Sequence, residues 1–447
     1  MALNAVIILM ASIVLVAVYR RGYDKGLSCA IFLLLLPPSN LSIELGMWVS
    51  GLPGLTIHRV TIVIMVIMWL RRPDLRRSAW SVRFGGLYLA MLFGCTIATI
   101  FSGNFTVSVK RLAFFLFESI WLFFVLASSI RRRETIDALV RAATLALVGA
   151  AVCGVLEKRA GIVVPSYFGM RAQSEFVARS SGFGGGDVAS TYGHRILFGV
   201  AMAVAAHHAL HMSVQAKKKW AVAVYLAFSA IVLLALYYSQ SRGPWLAFLL
   251  SAVVAVLLCH RPYVKRLLLC LILGGVAMAA NPGIQRNISA LYESTWDPST
   301  VKGSSFRWRF QVMENATARL SEAHSPVVFM FGYGFGSHLF MQFAAVELSS
   351  GHFGDFTSWD MEFAIVLFER GVFGFLTLLL LYGLVFGRGY RSLIRGSPHK
   401  DMLSLSMIAL FALVFMKTNV SFFAPQLVYL ESLHVAFISA LTSRRIE

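Results

Sequence analysis

Four short stretches carry residue types that could do chemistry. The first is Ser239-Gln240-Ser241-Arg242-Gly243-Pro244-Trp245, where proline marks a helix start. A helix N-terminus has unbonded N–H groups and partial positive charge. With Arg242 beside it, this turn suits a phosphate or diphosphate. The bland alternative is an arginine reaching for lipid headgroups. The second stretch runs from Arg179 through Gly182, Gly184, Gly185 and Gly186 to His194 and Arg195. Glycines let backbone amides approach an anion closely, and two arginines and a histidine flank them. The third is Arg307-Trp308-Arg309, followed by Gly332-Tyr333-Gly334-Phe335-Gly336. Aromatics beside arginines suit a sugar–phosphate ligand, but no strand precedes these glycines, so a dinucleotide site is excluded. The fourth gathers His352, Asp355, Asp360 and Glu362 within a dozen residues. Such a group could deprotonate a hydroxyl. Thr357-x-x-Asp360 also matches a capping box, the structural alternative.

These residues need elements to position them, and composition says which. Of the 447 residues, 58% are hydrophobic and 14% charged, with mean hydropathy +0.72. A soluble domain carries about 25% charged residues. Apolar runs of about 17–25 residues, enough to cross the hydrocarbon core, recur along the chain. They fall near 3–19, 27–45, 55–70, 84–101, 112–129, 137–156, 188–212, 220–239, 244–259, 266–280, 360–386, 402–418 and 424–441. The expected fold is an all-α polytopic membrane protein of about 12–13 transmembrane helices. Its expected parts are N-terminal helices (1–156), an extracytoplasmic glycine-containing loop (157–187), central helices (188–280), a long extracytoplasmic loop containing helices (281–359) and C-terminal helices (360–447). Charged residues look scarce inside the spans, Glu118 being an exception. In the long loop, Phe306, Phe310, Met313, Ala316 and Leu320 share a helical face, which predicts a helix at the membrane surface.

The formal charge of +19 comes from 40 Lys+Arg against 21 Asp+Glu. Alternate loops hold 24 of those 40, which predicts that these loops and the C-terminus are cytoplasmic. This pattern explains the charge through topology and anionic lipid, not nucleic acid. The remaining 16, including Arg171, Arg179, Arg195, Arg242, Arg307 and Arg309, then fall on the other side. The five cysteines lie in or beside apolar runs and form no CxxC pair, so neither a disulfide framework nor a zinc site is expected. Arg20 and Arg21 follow the first apolar run instead of preceding it, so that run reads as a retained helix and not a signal peptide.

The order of motifs resembles the O-antigen ligase and O-antigen polymerase superfamily of bacterial envelope glycosyltransferases. The matching pieces are Arg179-x-x-Gly182, Ser241-Arg242-Gly243, Arg307-x-x-Phe310, Gly332-x-Gly334-x-Gly336, Asp360-x-x-Phe363 and Glu369-Arg370-Gly371-x-x-Gly374. The resemblance implies a GT-C-like frame in the bacterial inner membrane with its active face periplasmic. It implies an undecaprenyl-diphosphate-linked oligosaccharide as donor and another as acceptor, with other polysaccharide-assembly proteins as partners. It also implies arginines holding the diphosphate, Arg179 and Arg242 first, then Arg195, Arg307 and Arg309, with no metal or cofactor. His194 and Glu362 are further substrate-binding candidates. Ligases of this kind have a histidine followed by asparagine eleven residues before the Glu-x-Gly glycine; here that position is Asp360, followed by Met361. The departure points to the polymerase-type members, with Asp360 or His352 as base. A ligase is the alternative in the same class, and a flippase is the alternative of another.

Overall fold

The computed structural model describes residues 2–43, 54–168, 188–297, 301–339, 359, 361–422 and 424–443. Among these the chain is all-α apart from one two-residue antiparallel pairing, Ser42–Ile43 with Leu55–Thr56. The N-terminal helices are α1 (Ala2–Arg21), α2 (Tyr23–Leu35), α3 (Ile57–Leu70), α4 (Pro73–Ala79), α5 (Gly85–Ile100), α6 (Phe105–Ser129) and α7 (Arg133–Ala160). The central ones are α8 (Arg195–Gln215), α9 (Lys219–Tyr238), α10 (Arg242–Leu258) and α11 (Arg261–Ala280). Then come α12 (Pro282–Trp296), α13 (Val301–Ser321) and the short α14 (Pro326–Phe331), and finally α15 (Glu362–Ile394), α16 (Lys400–Lys417) and α17 (Pro425–Thr442).

Among the described residues, six helices are long and apolar enough to cross a membrane: α1, α6, α7, α8, α9 and α15. With these the chain is a multi-pass membrane protein. The other expected spans are shorter or more polar. α3 has 14 residues and α10 has 17. α17 carries Gln426, Glu431 and His434, all buried, so its polar groups face protein instead of lipid.

α8 is the hub. Its Ala-rich stretch lets neighbouring backbones approach, which is how membrane helices pack without a hydrophobic driving force between them. Every residue from Leu197 to Ser213 is buried. Of the three imidazoles inside this helix, two have side-chain partners among the described residues, while His211 Nε2 has none. His207 bonds Tyr263 Oη and Ser251 Oγ, each at 2.7 Å, and His208 meets His434 at 3.1 Å.

α15 breaks at Gly371, where φ is 60° and ψ −166°. A break frees carbonyls that the next turn would have bonded. Those of Phe368 and Glu369 accept the N–H groups of Tyr333 (3.0 Å) and Gly334 (3.3 Å) instead. The two backbones press together there: a Cβ on Gly332 would lie 2.3 Å from the Glu369 carbonyl carbon, and one on Gly371 would lie 2.5 Å from that of Met330. The spaced glycines at 332–336 are therefore a packing device: Gly332 seats on α15, Gly334 against Ser102 just after α5, and Gly336 against Val107 and Arg111 of α6.

Two expectations need correction. In α13 the buried stripe is Trp308, Val312, Ala316 and Leu320, while Phe310 is 65% exposed. Trp308, Val312 and Ala316 pack with Trp359, Ala364, Ile365 and Phe368, so the helix docks on the start of α15. Its register is set by that partner, which the apolar periodicity alone does not reveal. Charged groups are also not scarce among the spans. Arg59, Glu118, Glu369, Arg370, Lys417 and Glu431 all line an internal cavity.

Candidate functional site

One arginine cluster forms where α8 and α10 begin. The chain enters α8 through a turn at 188–193 that α7 and α9 hold in place. Glu157 accepts the N–H groups of Ala189 (3.2 Å) and Ser190 (2.8 Å), and Val188 N–H donates to the Tyr238 carbonyl at 3.3 Å. This fixes His194 and Arg195 at the head of α8. The turn from α9 into α10 is pinned by Trp245, whose Nε1–H donates to the Leu236 carbonyl at 2.9 Å and whose ring stacks on Tyr237. α10 begins at Arg242 with Ser241 as its cap, so Pro244 is its third residue and still within the first turn. The two helix heads cross in contact, because a Cβ on Gly199 would sit 2.8 Å from Pro244.

Electrostatics tie these residues to α13. The charges of Arg309 and Arg195 both act on Arg242. Burial first, then Arg195 and Arg309, push the His194 imidazole down to about 4, so it is neutral at neutral pH. Three arginines and a neutral histidine from three helices thus share one electropositive region. Cations within electrostatic reach of one another make a region that suits a polyanion.

A cavity of about 850 Å³ lies between α3, α5, α6 and α15–α17. It adjoins the arginine region on two sides. Gly243, next to Arg242, is covered by Met416, the neighbour of Lys417. Trp308, next to Arg309, packs with Trp359, which lines the cavity. Most of the cavity's charges are paired. Arg59 Nε meets Glu118 Oε1 at 3.0 Å, and Glu118 sits on a π-helical segment of α6, Leu116–Trp121. Such segments occur mostly as single turns and recur at functional sites. Lys417 Nζ meets Glu431 Oε2 at 2.7 Å, and Tyr382 donates its hydroxyl to the same carboxylate.

Removing one partner of a buried pair strands the other charge, which costs about 3–5 kcal/mol. Lys417→Met should therefore lower the thermal midpoint of the purified protein sharply. The double variant Lys417→Met, Glu431→Leu should recover most of the loss in the same melt.

Glu369 organises the cavity wall beside the glycine loop. Its Oε1 accepts the Gly336 N–H at 2.8 Å and also contacts His338 Nδ1. A carboxylate acceptor on Nδ1 selects the Nδ1–H tautomer and leaves the lone pair on Nε2. His338 and Glu369 together have the make-up of an oriented general base.

The sequence-predicted residues divide cleanly. The structure brings together His194, Arg195, Arg242 and Arg309. Glu362 lines the cavity, but its Oε2 accepts from Ser421 Oγ and Phe422 N, each at 3.2 Å, so it also holds the α16–α17 connection. Arg179, His352, Asp355 and Asp360 lie outside the described residues, as does the side chain of Arg307. α15 begins at Glu362 with Met361 as cap. His338 carries no local signal: it stands alone in sequence and gains its carboxylate from 31 residues away. Lys417 and Glu431 carry none inside their apolar runs, and Arg370 shows only as part of Glu369-Arg370-Gly371.

Residues 226–379 match the model of the family described as O-antigen ligase. That segment runs from within α9 into α15 and contains Arg242, Arg309, the glycine loop and the Glu369-Arg370-Gly371 break. No curated protein matches the chain. The match points to a glycosyltransferase-like enzyme, and on an all-α polytopic membrane frame it supports the chain's membership of the O-antigen ligase and polymerase superfamily.

Proposed function

We propose that this protein is a polysaccharide polymerase. It would join undecaprenyl-diphosphate-linked repeat units at the periplasmic face of the inner membrane, its C-terminus lying in the cytoplasm. The observation that carries this reading is the convergence of Arg195, Arg242 and Arg309 with His194 on adjoining helix starts. A diphosphate carries several negative charges, and a cluster of preorganised cations stabilises it best as it departs. The acceptor hydroxyl oxygen of one unit attacks the anomeric carbon of the other. The bond from that carbon to the diphosphate oxygen breaks, and the diphosphate leaves with the electron pair. The hydroxyl proton passes to a base. His338, oriented by Glu369, is a candidate for this role; Asp360 and His352 are the other contenders.

The test is to incubate the purified protein with lipid-linked repeat units and resolve the products by size. A ladder of lengthening chains is expected, and His338→Gln should suppress it by about 100-fold or more if His338 is the base. An intact ladder in His338→Gln passes the role to Asp360 or His352. A ligase would instead leave chain length unchanged and move glycan onto a lipid A core or a protein. In a deletion strain, single repeat units on the acceptor mark a lost polymerase, and bare acceptor marks a lost ligase. The charged cavity would also suit a flippase; movement of lipid-linked glycan across vesicles without a new glycosidic bond would replace the polymerase reading with that one.

A further inference from the structure

Arg370 differs from the cavity's paired cations, Arg59 and Lys417, and from Arg111, which is exposed. Arg370 is 8% exposed, and its guanidinium carbon lies 4.9 Å from the Phe115 ring centre and 4.6 Å from that of Phe335. It makes no ion pair among the described residues, and its Nε has no hydrogen-bond partner there. The neighbouring carboxylate, Glu369, is turned to His338 and Gly336. A guanidinium cornered by two rings gains cation–π attraction, yet rings accept none of its in-plane N–H donors. A buried charge kept in that state is costly unless something supplies the acceptors.

The rest of the wall defines what would supply them. It carries four cations (Arg59, Arg111, Arg370, Lys417) and four carboxylates (Glu118, Glu362, Glu369, Glu431). Such a balanced lining offers a polyanion no net attraction and, among the described residues, leaves one buried cation to satisfy. We propose that the cavity is a glycan subsite in which Arg370 binds a single carboxylate, so that the substrate is an acidic, uronate-bearing sugar. A planar carboxylate matches the guanidinium fork through two parallel N–H···O bonds. The aromatic rings of Tyr88, Phe335 and Trp359 flank the apolar faces of the sugar. The diphosphate belongs to the arginine cluster next door, where three cations meet. This deepens the glycosyl-transfer reading and rests on it for the identity of the ligand as a sugar.

The experiment measures binding and not transfer, so it can fail independently of that reading. Purified full-length protein in detergent is titrated with methyl glucuronoside, with methyl glucoside and with inorganic diphosphate, using tryptophan fluorescence, to which Trp359 contributes. The glucuronoside should bind at least tenfold more tightly than the glucoside. Arg370→Gln should remove that preference, and Arg370→Lys should keep part of it. Equal binding of the two sugars by the unaltered protein overturns the proposal without recourse to any variant. So does a glucuronoside preference that survives Arg370→Gln. Displacement of glucuronoside by equimolar diphosphate, itself lost in Arg370→Gln, would show that this arginine takes diphosphate and would also overturn it.

Discussion

Arg242→Ala should lower polymer formation by about 100–1,000-fold, the usual loss when one preorganised group facing developing charge is removed. Protein level and melting behaviour should stay near those of the unaltered chain. Arg242 is half-buried at the head of α10, and the packing of that turn rests on Trp245, Pro244 and Gly199 instead. Removing one of three mutually repelling cations also relieves Arg195 and Arg309. Arg242→Lys should retain part of the rate, because a lysine keeps the charge but loses the planar fork. The measurement is the initial rate of chain lengthening on lipid-linked repeat units, alongside a thermal melt. A variant that melts normally and still polymerises at the ordinary rate removes Arg242 from the chemistry.

Gly332→Ala should have the largest effect on the fold. Its φ is +84°, a region that side-chain-bearing residues rarely adopt. Its added methyl would also run into the backbone of Glu369 and Arg370, which has nowhere to go inside a helix. Strain and overpacking together should cost about 3 kcal/mol or more. The damage should spread to chemistry, since the same contact aligns Glu369 with His338. Gly383→Ala is the control. It lies on the same helix, a Cβ there meets nothing within 4 Å, and the change should be close to neutral. Both are read as unfolding midpoints at one heating rate in one detergent. Equal midpoints for the two variants would show that the loop and the helix are not locked together as described.

Much of this molecule is legible in its sequence for a simple reason. Crossing a membrane demands runs of apolar residues closed on their own hydrogen bonds, and such runs are visible without a structure. Thus α1, α6, α7, α8, α9 and α15 fall where the runs fall. The turn at Ser241–Trp245 is legible too, because proline and glycine at a helix start have local meaning. So are His194 and Arg195, which flank the start of a long apolar run.

What sequence alone left open depends on distance between parts of the chain. His338 gains meaning only when a broken helix brings Glu369 to it. Lys417 and Glu431 lie inside apolar runs, where a single charge is easily outvoted by its neighbours, and Arg370 shows only as part of Glu369-Arg370-Gly371. Their pairing, or for Arg370 its lack of a pair, exists only between helices. The glycines at 332–336 spell a ligand loop by spacing, yet serve close packing, Gly332 on α15 and Gly334 and Gly336 on Ser102 and α6. The sequence by itself therefore determined the membrane-spanning class and the arginines at helix starts, because local composition sets both. The tertiary structure alone decided which of those arginines meet, where the cavity lies and which charge within it is left to be answered, because each of these is a relation across helices that no local pattern encodes.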